Sequence, residues 1–246
     1  MEESFPVSRV DRPERYYDAI AQSYDAQRFG CRCGRILNDV EIRIARELVA
    51  PGGRILDVGT GTARFAAAVG RASSAVVALD ASHRMLSAAS ATISRGEPQK
   101  RVSLVAGDAF SLPFISAGFD TVMSIKLLSH YRDIEPIVSE MARVLKRNGQ
   151  LVLDVPRSVA ESYAQVAGNP SVQSYLDFFH PFPEIARVLR KHSIEISRRV
   201  TYSALPLSIV HATICRHPVL APTRILKLLI GARGGVLTLV EGIKKE

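Results

Sequence analysis

Leu56-Asp57-Val58-Gly59-Thr60-Gly61-Thr62-Ala63 joins an apolar strand candidate, residues 54–58, to a helical pattern at 62–72 through two closely spaced glycines. Glycine lets the backbone turn tightly and leaves no Cβ between it and a ligand. The free N–H groups of the helix start beyond suit a carboxylate or a phosphate. A dinucleotide fingerprint would place a third glycine at position 64, where this chain has Arg64, a side chain that crowds helix against sheet. Asp57 would repel a pyrophosphate but attract an ammonium. The turn, with Thr60 at its centre, therefore suits the zwitterionic end of an amino acid.

Short apolar runs continue at 75–79, 102–106, 121–125 and 151–155, with helical patterns at 82–94 and 133–146 between them. The second helix carries Ile134, Ile137, Met141, Val144 and Leu145 on one stripe and stops at Asn148-Gly149. Strands alternating with helices predict βαβ units, a parallel sheet and right-handed crossovers. Upstream, residues 12–28 read as a helix bearing Tyr16, Tyr17, Ile20 and Tyr24, and 40–49 as another, ended by Pro51-Gly52-Gly53. Downstream come a helix at 184–191 and strands at 194–202 and 236–243. The segment 206–231 between those strands is long for a connection within one sheet.

Acids recur at strand ends. Asp80, followed by Ala81, closes the second strand 21 residues beyond Gly59, where an acid accepts the hydroxyls of a ribose. Asp108, in Gly107-Asp108-Ala109-Phe110, follows the third strand and is placed to accept from an adenine amino group, with Phe110 or Met85 packing on the ring. An amino acid, a ribose and an adenine together describe S-adenosylmethionine.

LDVGTGT at 56–62, the ALD strand end at 78–80, GDA at 107–109, GFDTVMS at 118–124 and EMARVLKRNGQLVL at 140–153 resemble class I S-adenosylmethionine-dependent methyltransferases. The likeness is greatest to the group containing quinone-biosynthesis and small-molecule methyltransferases. It runs in order over about 16–156, with a last strand at 237–244, and AIAQSYD at 19–25 resembles that group's leading helix. The resemblance implies an α/β, doubly wound, Rossmann-like sheet of seven strands in the order 3-2-1-4-5-7-6, the last antiparallel. It implies one domain over 1–246: a helical N-terminal cap at 1–50, a cofactor-binding core at 54–156, and a substrate-side region at 157–246 with an insertion at 205–231. By its motifs Asp57, Gly59 and Gly61 hold the methionine end, Asp80 the ribose, Asp108 with Ala109 the adenine, and Ile125 to Leu127 the sulfonium side. The tyrosine and aspartate of the leading helix, Tyr24 and Asp25, border the cofactor. Three positions depart from the group's pattern: Ala63 stands where many members have glycine, Ser129-His130 where many have two histidines, and Arg147-Asn148-Gly149 where Pro-Gly is usual.

Methyl transfer mostly needs alignment, and a base only when the acceptor must lose a proton. His130, just past the fourth strand, is the candidate base, or else a loop histidine that shapes the pocket. Tyr17, Leu127 and His130 are the candidate acceptor contacts. Tyr17 and Tyr24 either close over the cofactor or pack in the core. Cys31, Cys33 and Cys215 lack the spacing of a zinc site or a disulfide framework, so no metal is expected and the cytoplasm is the expected compartment.

Residues 1–15 lack the apolar stretch of a signal peptide, and no run reaches the roughly 18 apolar residues of a membrane span. The net charge of +8 is concentrated at 187–233, where nine Lys/Arg face one acid, Glu195. Such an excess reads as a solvated basic face or as contact with an anionic partner. Residues 205–230 mix Leu, Ile and Val with Arg216, Arg224 and Lys227, which suits either a lid over a greasy substrate or peripheral contact with an anionic membrane. A small-molecule or lipid-like acceptor is thus expected, against an RNA methyltransferase or a non-catalytic cofactor-binding subunit. Ser124-Ile125-Lys126-Leu127 is not the Asn/Asp-Pro-Pro-aromatic run that clasps a base nitrogen, so nucleic acid is not the expected partner.

Overall fold

The computed structural model of the chain describes residues 13–70, 73–95, 101–156, 178, 180–202 and 237–245. The insertion at 205–231, and with it His211, Cys215, Arg216, His217, Arg224 and Lys227, lies outside the described residues. Three helices lead: α1 (Pro13–Ile20), α2 (Tyr24–Phe29) and α3 (Arg32–Leu48). The core follows as β1 (Arg54–Val58), α4 (Arg64–Val69), β2 (Ala75–Asp80), α5 (His83–Arg95), β3 (Val102–Ala106) and β4 (Phe119–Ser124). After a 3-10 turn at Leu128–His130 come α6 (Glu135–Val144), β5 (Leu145–Pro156), α7 (Phe182–Lys191), β6 (Ile194–Tyr202) and β7 (Leu237–Lys244).

The seven strands form one sheet in the order β3-β2-β1-β4-β5-β7-β6, as expected. Strands β1 to β5 run parallel to one another, and β7 runs antiparallel between β5 and β6. Alternating side chains load both faces of the sheet, because successive residues of a strand point to opposite sides. Ile55, Val76, Met123 and Val152 pack on one face against Leu37, Val40, Ile44 and Leu48 of α3. Leu56, Leu79, Val122, Leu151 and Leu153 pack on the other against Ile137 and Met141 of α6 and Ile185, Val188 and Leu189 of α7. Gln150 ties the layers: its amide donates to Leu48 O at 2.7 Å and Glu241 Oε1 at 2.9 Å, and its oxygen accepts the Ala50 N–H at 3.0 Å.

Local boundaries depart from the sequence pattern: the helix expected at 40–49 is α3 and begins at Arg32, and the strand expected at 151–155 is β5 and begins at Leu145. The expected helix at 12–28 divides into α1 and α2 around a turn at 21–23. The helix expected at 62–72 is α4, Arg64–Val69, and it starts late because Ala63 adopts a left-handed conformation, φ 59°, at its N-cap. The helix expected to reach 146 stops at Val144, and β5 begins at once, absorbing an irregularity around Asn148, φ 59°.

The strand order reverses between β1 and β4. In open α/β sheets ligands bind in the crevice outside the carboxyl ends of the strands at such a switch point.

Candidate active site

A crevice of roughly 800 Å3, counting its open mouth, lies at that switch point. Its floor is the glycine turn. Gly59 and Thr60 donate their N–H groups to Leu79 O at 2.8 and 2.9 Å, which pins the turn to the end of β2. Gly59, at φ 73°, is packed so closely that a Cβ there would lie 2.8 Å from Leu127 Cδ1. Gly61, at φ 56°, faces open space within the crevice. That opening beside a strand-end carboxylate is a cradle for a ligand's backbone-like end, and it fits an amino-acid moiety.

Asp57 is buried beneath the turn and accepts from Thr60 Oγ1 at 2.7 Å. Burial lifts its carboxyl to about 7 and the nearby Asp80 charge adds to this, while the Thr60 and Ala66 hydrogen bonds pull it down. Asp80 lines the crevice and accepts the Gly61 N–H at 2.7 Å on one oxygen and the Ser82 N–H at 2.9 Å on the other. Burial raises its carboxyl too, against those two N–H bonds. Apolar wall comes from Phe65, Leu79, Met85, Ala109, Ile125 and Leu127.

The N-terminal helices roof the crevice by polar contacts. Tyr17 Oη lies 2.9 Å from His130 Nε2, with the two rings edge to face at 5.3 Å. Tyr24 stands edge-on to Tyr17 at 6.0 Å. Asp18 accepts from Ser82 Oγ at 2.6 Å, and Asp25 from Thr62 Oγ1 at 2.8 Å. Burial holds the Tyr17 phenol well above its ordinary range, so it stays protonated.

Residues 56–153 match a family described as a methyltransferase domain. The phosphatidylethanolamine N-methyltransferase of Cereibacter sphaeroides is 34% identical over 139 residues, which is 55% of this chain and 67% of that protein. A demethylmenaquinone methyltransferase of Thermobifida fusca is 28% identical over 79% of this chain and 89% of its own length. Magnesium protoporphyrin IX methyltransferase of Synechocystis, solved with bound SAH, superposes with a TM-score of 0.65 at 15% identity, across 94% of this chain and 98% of that one. The chain belongs to the class I S-adenosylmethionine-dependent methyltransferases.

Of the residues that sequence singled out in this methyltransferase, Tyr17, Tyr24, Gly59, Thr60, Gly61, Asp80, Ala81, Met85, Ala109, Ile125, Leu127 and His130 all line the one crevice. Asp57 lies under it. Asp108 and Phe110 are not among the lining residues: Asp108 Oδ1 accepts the Phe110 N–H at 2.9 Å within its own turn, and the Phe110 ring swings out against Tyr131, 40% exposed. Cys31 is exposed and its sulfur accepts the Gly34 N–H at the start of α3. Among the described residues no group of His, Cys, Asp and Glu is placed to hold a metal ion.

Sequence reasoning missed Glu14, Arg64 and Tyr131 as parts of the methyltransferase's crevice wall, and Glu41 behind it, whereas Lys126 falls inside the expected 125–127 stretch. Arg64 and Lys126 both pair with Glu41 at 2.7 Å. The Arg64 guanidinium lies 4.0 Å from the Phe65 ring centre and 4.8 Å from that of Phe29. A signal was present: Glu41 falls on the apolar stripe Leu37, Ile44, Leu48 of α3, where an acid needs a partner.

Proposed function

We propose that the crevice binds S-adenosylmethionine with its methionine end on Gly59–Gly61, its ribose on Asp80 and its adenine between Met85 and Ala109 near Asp108, and that a small-molecule or lipid-like acceptor enters beside Tyr17, Leu127 and His130. The Tyr17–His130 pair carries the acceptor half of this reading. Tyr17 keeps its proton, and its hydroxyl shares a hydrogen bond with His130 Nε2 at the crevice wall. With His130 in the tautomer that leaves Nε2 unprotonated, an acceptor O–H or N–H that takes the place of the Tyr17 hydroxyl meets the Nε2 lone pair, and His130 receives the proton.

The cofactor supplies an activated methyl on a sulfonium and leaves as a neutral thioether. The chain's part is alignment, worth roughly 7–11 kcal/mol of barrier, together with removal of the acceptor's proton and exclusion of water by the α1–α2 roof. Relatives named for phosphatidylethanolamine and demethylmenaquinone support an apolar-tailed acceptor, as does the Ile125–Leu127 wall. Residence in the cytoplasm, with peripheral contact to anionic lipid through 205–230, belongs to the same proposal. Among the described residues no helix is long and apolar enough to cross a membrane.

Incubation with methyl-labelled S-adenosylmethionine and lipid extract, total RNA or aqueous metabolites tests the reading. Label is expected in the organic phase or on a small metabolite, and label in RNA would refute the acceptor class. His130→Ala should lower kcat by about 10²–10⁴ through loss of the base, and Tyr17→Phe by less. Both should leave the calorimetric cofactor Kd within about twofold, since neither is asked to hold the nucleoside.

A further inference from the structure

His130 stands at the crevice wall on a 3-10 turn of three residues. Within the turn, the His130 N–H donates to Leu127 O at 3.0 Å and the Tyr131 N–H to Leu128 O at 3.2 Å. The Ser129 side chain adds nothing to this, for its Oγ is buried with no hydrogen-bond partner among the described residues. Further hold comes from a distant stretch of chain. The Phe178 N–H donates to Ser129 O at 3.1 Å, so the peptide plane that enters His130 is held at both its N–H and its carbonyl. His180, 3% exposed, places Nε2 at 2.9 Å from Tyr131 O, the carbonyl one residue beyond His130. A carbonyl oxygen can only accept, so Nε2 of His180 carries a proton and donates it. The Arg132 guanidinium lies 5.5 Å from the Phe178 ring centre, a third contact between the same two stretches. His180 leads directly into α7, which Ile185, Val188 and Leu189 seat in the core, so this hold is anchored on the sheet.

We propose that His180 is a positioning residue for His130: by holding the carbonyl beyond it while Phe178 holds the one before, it fixes the direction in which the His130 ring meets Tyr17 and the acceptor. The task given to His130 rests on the acceptor-side reading proposed above. A group that moves a proton needs such support, because a displacement of about 1 Å can cost roughly a hundredfold in rate. His180 is not among the residues lining the crevice, so it acts through the turn and not on cofactor or acceptor. What its imidazole adds that an apolar side chain would not is one donated bond, delivered beside His130.

The test reads the His130 ring directly, in nitrogen-15 spectra of the labelled histidines, with His130 assigned by the loss of its signals in His130→Ala. Tyr17→Phe defines where Nε2 resonates once the Tyr17 hydroxyl is gone. His180→Leu should move the His130 Nε2 signal most of the way to that position. His180→Gln, whose side-chain amide brings an N–H to about the reach of Nε2, should return it. In a Tyr17→Phe background His180→Leu should move the signal little further, because the two changes act on one contact. Transfer of methyl label to the extract that wild type methylates should fall about ten- to a hundredfold in His180→Leu and recover in His180→Gln. The calorimetric S-adenosylhomocysteine Kd should stay within about twofold of wild type throughout. An Nε2 signal unmoved in folded His180→Leu, or a loss that His180→Gln fails to reverse, would overturn the proposal and leave His180 a structural tie. Should His180→Leu not fold, His180→Asn, whose amide stops short of the Tyr131 carbonyl, takes its place and the same outcomes decide. Failure of the base reading shows separately: His130→Ala would then transfer label at the wild-type rate while the Nε2 signal still followed His180.

Discussion

Gly59 and Gly61 share a positive φ and stand two positions apart, yet their surroundings demand different things of them. At Gly59 a methyl group meets Leu127 at 2.8 Å, so Gly59→Ala strains both backbone and packing and should cost about 2–4 kcal/mol in urea unfolding. At Gly61 a methyl group meets nothing, so only the backbone cost of about 1–2 kcal/mol applies. The same methyl group projects into the crevice, and Gly61→Ala should weaken S-adenosylmethionine by tenfold or more in calorimetry. Normal affinity in Gly61→Ala would place the methionine end elsewhere. The need for glycine at both sites was legible in the sequence, but the difference between them was not, since Leu127 is brought to Gly59 only by the pairing of β1 with β4. Ala63 was harder still. It reads as an ordinary helix start, and instead it accepts a left-handed backbone at about 1 kcal/mol or more because the turn must complete itself before α4 begins.

Helices α1 and α2, of 8 and 6 residues, contain no fully buried residue, Tyr17 with its enclosed hydroxyl included, whereas α3 is anchored on the sheet by large apolar side chains such as Leu37 and Ile44. Helices so short are marginal without packing. What holds them are side-chain links to three separate loops: Tyr17 to His130 after β4, Asp18 to Ser82 after β2, and Asp25 to Thr62 after β1. These helices also pack on α5 and α3, but a roof whose polar links run to the loops of a binding site should be looser when the site is empty than when it is filled. Hydrogen exchange should therefore show amides of 13–29 exchanging much faster than those of α3 in the free protein, and slowing about tenfold or more with S-adenosylhomocysteine. Equal exchange with and without the ligand would mean that the roof does not respond to the site. Periodicity predicted these residues as one helix because the tyrosine spacing runs on across 21–23. The same kind of pattern placed the strands correctly, since buried β-strands in a parallel sheet are nearly continuous apolar runs. The ends of α4 and α6 were beyond it, being set by backbone conformations at Ala63 and by the register of β4 against β5 around Asn148.

For the molecule as a whole, the crevice is an electrostatic burden on the fold. Burial lifts the Asp57 carboxyl from 3.8 to about 7 and that of Asp154 to about 6. Between about pH 4 and 7 the folded protein therefore holds protons that the unfolded chain has released, and these groups make stability fall as pH rises through that window. Lys126, lowered from 10.5 to about 8, acts at the other end: the folded state is short of a proton between those values, so its penalty is present below 8 and fades above. A tenfold change in proton affinity corresponds to about 1.4 kcal/mol, so Asp57 alone accounts for up to about 4 kcal/mol at pH 8. Asp57→Asn should remove that slope. Its stability advantage over wild type in urea unfolding should grow by about 3–4 kcal/mol between pH 4.5 and 8. A difference that stays flat with pH would mean that Asp57 ionises normally in the folded protein. Ligand adds to the stability of a protein that binds it, so saturating S-adenosylmethionine should raise the urea midpoint of wild type at pH 8.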